Sequence, residues 1–288
     1  MKRLLFLLPC LLLLASPASA EQTALHATIP DTQTVTLSLG GHAEAAVGER
    51  LVSDDTALSV GRFESLRIRI LPEWGYRLDT VSASSSRGLT IEGNDILLSS
   101  AVQDLSLSLS FVQDEAPGMA LTAADLVLAP GMSATLSAKT APAQNPENLV
   151  LETTDESILS VSEGRITARG EGRAVVTASC GELSAACTVE VRGMSTLSFP
   201  TALETVEAGA FRGNQSAECI RFPDGVRAIG PHAFADCANL RLAVLPASVE
   251  SIGEGAFEGC EHLVLLCDEP TEAVTRYAKI HSIPWLIR

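Results

Sequence analysis

Beyond Gly193 the chain repeats itself every 23 residues, and that period leaves few folds open. Pro200, Pro223 and Pro246 mark it, as do Ala210, Ala233 and Ala256 with Phe211, Phe234 and Phe257. Leu203, Val226 and Val249 share the frame, with Val206, Ile229 and Ile252 and with Asn214, Cys237 and Cys260. A unit of this size cannot bury its own apolar face, so the pattern predicts a solenoid whose stacked coils share ladders of Phe, Ile/Val and Leu. Three coils need a cover at each end, and the first coil is the least regular, as a terminal coil should be. The segment before the repeat is expected to dock on the N-terminal end. At the other end, Val274, Tyr277 and Ala278 fall at i, i+3 and i+4, which predicts a short helix from Glu272 to Ile280. Ile283, Trp285 and Leu286 then supply bulk to seal the last coil.

Upstream of the repeat the period changes to two. Thr34 to Leu39, Leu66 to Ile70 and Leu105 to Phe111 alternate apolar with polar, which is how half-buried antiparallel strands read. Turn residues punctuate them at Gly40-Gly41, Gly61, Pro72, Gly88 and Gly93-Asn94-Asp95. Residues 115–119 (Glu-Ala-Pro-Gly-Met) read as a linker, and a second alternating pattern runs from there to about Val191.

Three resemblances add to this reading. The recurrent phrase, seen as Leu245-Pro246, Val249, Ile252-Gly253, Ala256-Phe257, Gly259-Cys260 and Leu263, closely resembles the BspA-like, or Treponema-type, leucine-rich repeat. Leu126-Val127-Leu128, Pro130-Gly131, Thr154 to Val161, Gly164 to Gly172, Ala174 to Ala178 and Ala186 to Val191 resemble the group 2 bacterial immunoglobulin-like domain, with Leu151 standing where a tryptophan usually opens the central strand. Pro72-Glu73-Trp74-Gly75-Tyr76, followed by Leu78 and Val81, is similar to the signature of small β-repeats on bacterial surface proteins. The expected fold is mainly β, with two β-sandwich-like domains followed by a short leucine-rich-repeat solenoid and a helical C-terminal cap. The expected boundaries are 1–20 (signal peptide), 24–114, 120–192 and 194–288.

The signal peptide rests on Lys2 and Arg3, an apolar run from Leu4 to Leu14, and Ala18-Ser19-Ala20 as a cleavage site. Pro9 interrupts the run, which is well short of the roughly 20 apolar residues a bilayer needs. Leu8-Pro9 before Cys10 makes a poor lipobox. The chain has 20 basic and 35 acidic side chains; removing Lys2 and Arg3 leaves 18 against 35, or −17. So acidic a protein repels phosphate backbones, which argues against nucleic acid as a partner. No second apolar span follows, so the mature chain is expected without an integral membrane segment and either secreted or at the cell surface.

No catalytic motif is present: neither a G-x-S-x-G elbow, H-E-x-x-H, a P-loop, G-x-G-x-x-G nor an EF-hand string. The neighbours Asp54-Asp55 and Asp155-Glu156 would point to opposite faces of a strand, and Asp155 is better explained by turn chemistry. His232 corresponds by register to Gly209 and Gly255, and His262 to Ser216 and Asn239, slots expected to face solvent. His26, His42 and His281 have no second His or Cys at zinc-ligand spacing. No catalytic residue, cofactor or metal is therefore expected. Of the six cysteines that remain after cleavage, Cys237 and Cys260 are expected to be buried reduced thiols, while the state of Cys180, Cys187, Cys219 and Cys267 stays open. Asn214 coincides with that ladder position, so its Asn-Gln-Ser sequon reads as incidental.

The expectation is a non-catalytic extracellular or cell-surface binding protein, its β domains forming a stalk that presents the solenoid to a protein or glycan. Adhesion and host or matrix binding are what the BspA-like resemblance implies. The variable positions Glu204, Arg227 and Glu250, together with Arg221, are the candidate ligand-binding residues. The alternative is an envelope polysaccharide-processing enzyme, or its accessory factor, with a site at a domain junction.

Overall fold

Alternation governs the first part of the fold as the sequence leads one to expect. The computed structural model describes residues 31–114, 118–141 and 149–288; residues 1–20, expected to be a signal peptide and containing Cys10, and His26 lie outside the described residues. About 49% of the described residues are strand and 4% helix, and these residues form no closed barrel. Thr32–Ser38, Thr56–Gly61, Tyr76–Ala83 and Leu105–Gln113 form one four-stranded sheet. Ala43–Val47, Arg50–Val52, Leu66–Pro72, Leu89–Glu92 and Asp95–Leu98 form a five-stranded one. Val35 and Leu37 from the first sheet meet Ile68, Ile70 and Ile96 from the second in a shared core. One pairing departs from expectation: Val35–Ser38 runs parallel to Leu105–Ser108. Tyr76 begins a strand after a left-handed Gly75 (φ +84), where a Cβ would stand 2.6 Å from the Cβ of Ala141, so the turn closes against the next segment only with glycine there.

The middle segment shares a sheet with the repeat. Asp125–Leu128, Val150–Thr153, Gly172–Cys180 and Leu183–Val191 make one four-stranded layer. The facing layer begins with Leu159–Ser162, Arg165–Ala168 and Ser133–Thr135, then continues through the C-terminal strand Trp285–Ile287 into the solenoid strands Val264–Cys267, Leu242–Leu245, Cys219–Arg221 and Thr196–Ser198. The link is antiparallel on one side, Thr135 opposite Ile287, and parallel on the other, Leu266 opposite Leu286. Leu242, Val244, Val264, Leu266 and Leu286 therefore pack on the middle segment, while Ala243, Leu245, Leu265 and Cys267 point into the coils. A parallel sheet buried on both faces reads as a continuous apolar run, which explains Leu242-Ala243-Val244-Leu245 and Val264-Leu265-Leu266-Cys267. The middle segment accordingly covers the solenoid's sheet and not its N-terminal end, where Phe199 packs on Phe211 and Phe222 at ring separations of 5.3 and 5.4 Å. Gly118 and Met119, expected in a linker, belong to a strand, Gly118–Leu121, paired with Ala138–Ala141; residues 115–117 lie outside the described residues.

Inside the coils Phe211, Phe234 and Phe257 stack at 5.3 and 5.5 Å. A Cβ on Gly230 would lie 2.6 Å from the amide nitrogen of Ala208, and one on Gly253 2.5 Å from that of Pro231. Glu207 fills this slot in the first coil because no coil precedes it. The period tightens after Leu263, where Val264 pairs with Leu242, 22 residues back.

The last coil is closed by two elements. Amides of Phe211 and Phe234 donate to the carbonyls of Ala233 and Ala256 in the next coil, each at 2.7 Å. For Phe257 there is no next coil, and its N–H donates to the Tyr277 hydroxyl at 3.0 Å. Gly209 and His232 donate likewise to Pro231 and Glu254; Gly255 donates instead to a Glu49 carboxylate oxygen at 3.3 Å, from the loop between the N-terminal strands Ala43–Val47 and Arg50–Val52. Tyr277 belongs to the helix Glu272–His281, one residue longer than expected, capped by the Thr271 hydroxyl accepting from the Val274 amide and ended by left-handed Ser282. Burial pushes the Tyr277 hydroxyl well above its ordinary value. Substituting Tyr277→Phe keeps the ring and orphans the buried Phe257 amide, so equilibrium denaturation should show a loss of about 1–3 kcal/mol. A loss below about 0.5 kcal/mol, the scatter of surface changes, would contradict this closure.

Candidate functional site

The repeat register places Glu204, Arg227 and Glu250 in one exposed column. The Arg227 amide donates to the Glu204 carbonyl, and the Glu250 amide to that of Arg227, each at 2.8 Å. The Arg227 guanidinium meets the Glu250 carboxylate with both side chains about two-thirds exposed. An ion pair so open contributes little to stability, so the column is free to trade partners. It flanks the outer strands Thr205–Val206, Ala228–Ile229 and Ser251–Ile252, a face that the middle segment leaves uncovered. Arg221 does not join it. That side chain lines a separate depression of about 430 Å³ with Asp224, beside the bidentate Arg288–Asp268 pair.

The histidines divide. His262 is exposed, as expected. His232 takes the left-handed position (φ 52) that Gly209 and Gly255 hold in the neighbouring coils. It is half-buried and borders a cavity of about 670 Å³ that the first β segment forms with the third coil and the cap. Its Nδ1 lies 3.3 Å from Glu258 without a well-formed hydrogen bond. His281 meets both Glu49 oxygens at 2.8 and 3.0 Å, and His42 stacks on Tyr76 with ring centroids 3.9 Å apart. Glu49 is thereby committed to the cap, while Glu254 and Glu258 on the cavity rim stand in solvent.

Sequence reasoning missed a second junction, a cleft of about 980 Å³ to which the first segment gives Trp74, the middle segment Lys139 and the cap Lys279 and Trp285. The legible signal was Trp74 beside Gly75, a large ring on a tight turn; the docking that makes a cleft of it left none.

Cys237 and Cys260 carry free thiols that donate to the carbonyls of Phe211 and Phe234, each at 3.3 Å. Burial pushes the Cys260 thiol up to about 12 and raises Cys237, so both are held as neutral core groups. Cys187 faces Val176 across its hairpin and is likewise pushed up to about 12 by burial. Asn214 takes the corresponding slot in the first coil, its side-chain oxygen accepting from the Ser216 amide and hydroxyl and the Ala217 amide at 2.9–3.0 Å. Asp155 serves a turn, accepting from the Ser157 hydroxyl and amide, which lowers its carboxyl.

A family profile described as "BspA type Leucine rich repeat region (6 copies)" matches residues 184–267, so the chain carries a BspA-type leucine-rich repeat region. No curated protein matches. Two solved structures show a loose likeness. "Crystal structure of the S-layer protein rSbsC(31-844)" is 13% identical with a TM-score of 0.23, the match covering 50% of this chain and 24% of that one. "Crystal structure of the S-layer protein SbsC domains 4 and 5" is 14% identical with the same score, covering 50% of this chain and 86% of that one. The chain thus spans about a quarter of the first of these, and scores so low bear on neither fold nor role. No helix among the described residues is long and apolar enough to cross a membrane.

Where the middle segment enters the repeat, Arg192 holds Glu218 in two bonds of 2.7 and 3.0 Å, and the Ser195 amide adds a third at 3.1 Å. The Arg192 bonds, then that amide, hold the Glu218 carboxyl below its ordinary 4.5. A depressed carboxyl stabilises the fold above that ordinary value and loses the contribution as pH falls through the lower folded one. Glu218→Gln should cost up to ~1 kcal/mol at neutral pH, with the gap from wild type narrowing below pH 4.5 in thermal melts. A gap constant down to pH 3 would refute the assignment.

Proposed function

We propose that this is a non-catalytic binding protein, exported by residues 1–20 and acting outside the cell or on its surface, whose solenoid engages an extracellular protein or glycan. The observation that carries the reading is the Glu204–Arg227–Glu250 column. One sheet of the solenoid is covered by the middle segment, so the outer strands beside this column are the coil face left for a ligand. The immunoglobulin-like reading of residues 120–192 fits a bracing role: the β segments hold the solenoid rigidly from the side and end, where a stalk would stand in line beneath it. The repeat type supports an adhesive role, and an alternating acidic, basic, acidic column suits a partner with complementary charges.

The enzyme alternative draws on the 670 Å³ junction cavity and its Glu258 and His232. Release of reducing ends from envelope polysaccharides, abolished by Glu258→Gln, would support it over the binding reading.

Screening the mature protein against matrix proteins and glycans should give a ligand whose affinity falls about tenfold or more with Arg227→Glu. Stability should move by no more than about 0.5 kcal/mol, because the site is exposed. Unchanged binding to every ligand found would remove the column from the binding face.

A further inference from the structure

The cleft between the three segments gathers side chains that are scarce in the chain. There are two tryptophans, Trp74 and Trp285, and both line it. There are three lysines; Lys2 falls in the leader, and the other two, Lys139 and Lys279, both line it as well. Against a chain charge of −15, the lining carries Arg69, Lys139 and Lys279 with Asp95 as its acid. Arg69 is spent on Asp95 at 3.3 Å and on the Ile280 carbonyl at 3.1 Å, and Lys279 on Glu44 at 2.7 Å. Lys139 is exposed, and its ammonium has no partner among the described residues. Trp74 is 47% exposed, with its indole N–H unengaged among the described residues.

We propose that this cleft binds an acidic polysaccharide, one pyranose lying on the Trp74 ring and its anionic group drawn to Lys139. A pyranose has apolar C–H faces and a hydroxyl edge, which matches an aromatic platform with its own indole N–H in a cleft also lined by Asn94. A cation unpaired among the described residues favours an anionic sugar over a neutral one. This site is separate from the Glu204–Arg227–Glu250 column and stands or falls without it.

The test is a titration of the mature protein with oligogalacturonate, bearing carboxylates, and with sulfated dextran oligosaccharide, bearing sulfates. Tryptophan emission and calorimetry report binding, and unsulfated dextran and polyglutamate serve as comparisons. One anionic saccharide should shift the emission and bind saturably, and which one does so identifies the anionic group. Trp74→Ala and Lys139→Glu should each weaken binding about tenfold or more, Trp74→Tyr should retain most of it, and Arg227→Glu should leave it unchanged. Should Trp74→Ala unfold, Trp74→Tyr and Lys139→Glu decide the matter. The proposal is overturned if neither saccharide binds, if Lys139→Glu binds as wild type does, or if dextran or polyglutamate binds equally well.

Discussion

A stack of parallel coils ends in a row of backbone amides that no further coil receives, and the closure of that row ties this chain together. Buried donors without acceptors are costly, so each needs a substitute. Here one substitute is local, the Tyr277 hydroxyl of the capping helix, and the other is Glu49, more than two hundred residues from the Gly255 amide it receives. Glu49 also meets His281, and Lys279 meets Glu44, so the cap is held to the N-terminal segment by its own side chains.

The strand beyond the cap does the same for the middle segment. Trp285–Ile287 extends the coil sheet by one strand and offers its other edge to Thr135, so a sheet edge that would stand open is paired. Coil residues on the outer face become core for the middle segment, and Leu286 is buried at the seam. Eight strands then form one layer, and the four-stranded sheet of the middle segment lies over part of it. What this leaves outside are the narrow outer strands of the coils with their charged column, and the clefts where the segments meet.

Much of this was legible in the sequence. The Phe, Ile and Cys columns, the glycines of the turns and the helical cap follow from spacing, because local periodicity and stacking obey the same geometry. Glu204, Arg227 and Glu250 fall into one column for that reason, while Arg221, on the opposite strand of its coil, lies elsewhere. The four-residue apolar runs at Leu242 and Val264 announced a sheet buried on both faces, a signal that points to a covering layer without naming it. What left no trace was long-range pairing. Glu49 is one acidic residue among many, and nothing periodic connects it to Gly255; the parallel pairing of Val35–Ser38 with Leu105–Ser108 is equally silent in an alternating pattern. The cleft holding Trp74 and Lys139 exists only because three segments dock, so no single stretch encodes it.

If the C-terminal strand joins the segments, disrupting it should be felt far from the chain's end. Hydrogen exchange on Leu286→Asp, compared with wild type, measures this directly. Protection should be lost in Ser133–Thr135 and Arg165–Ala168 together with the coil strands Leu242–Leu245 and Val264–Cys267. Loss confined to residues 264–288, with the middle segment as protected as before, would contradict it.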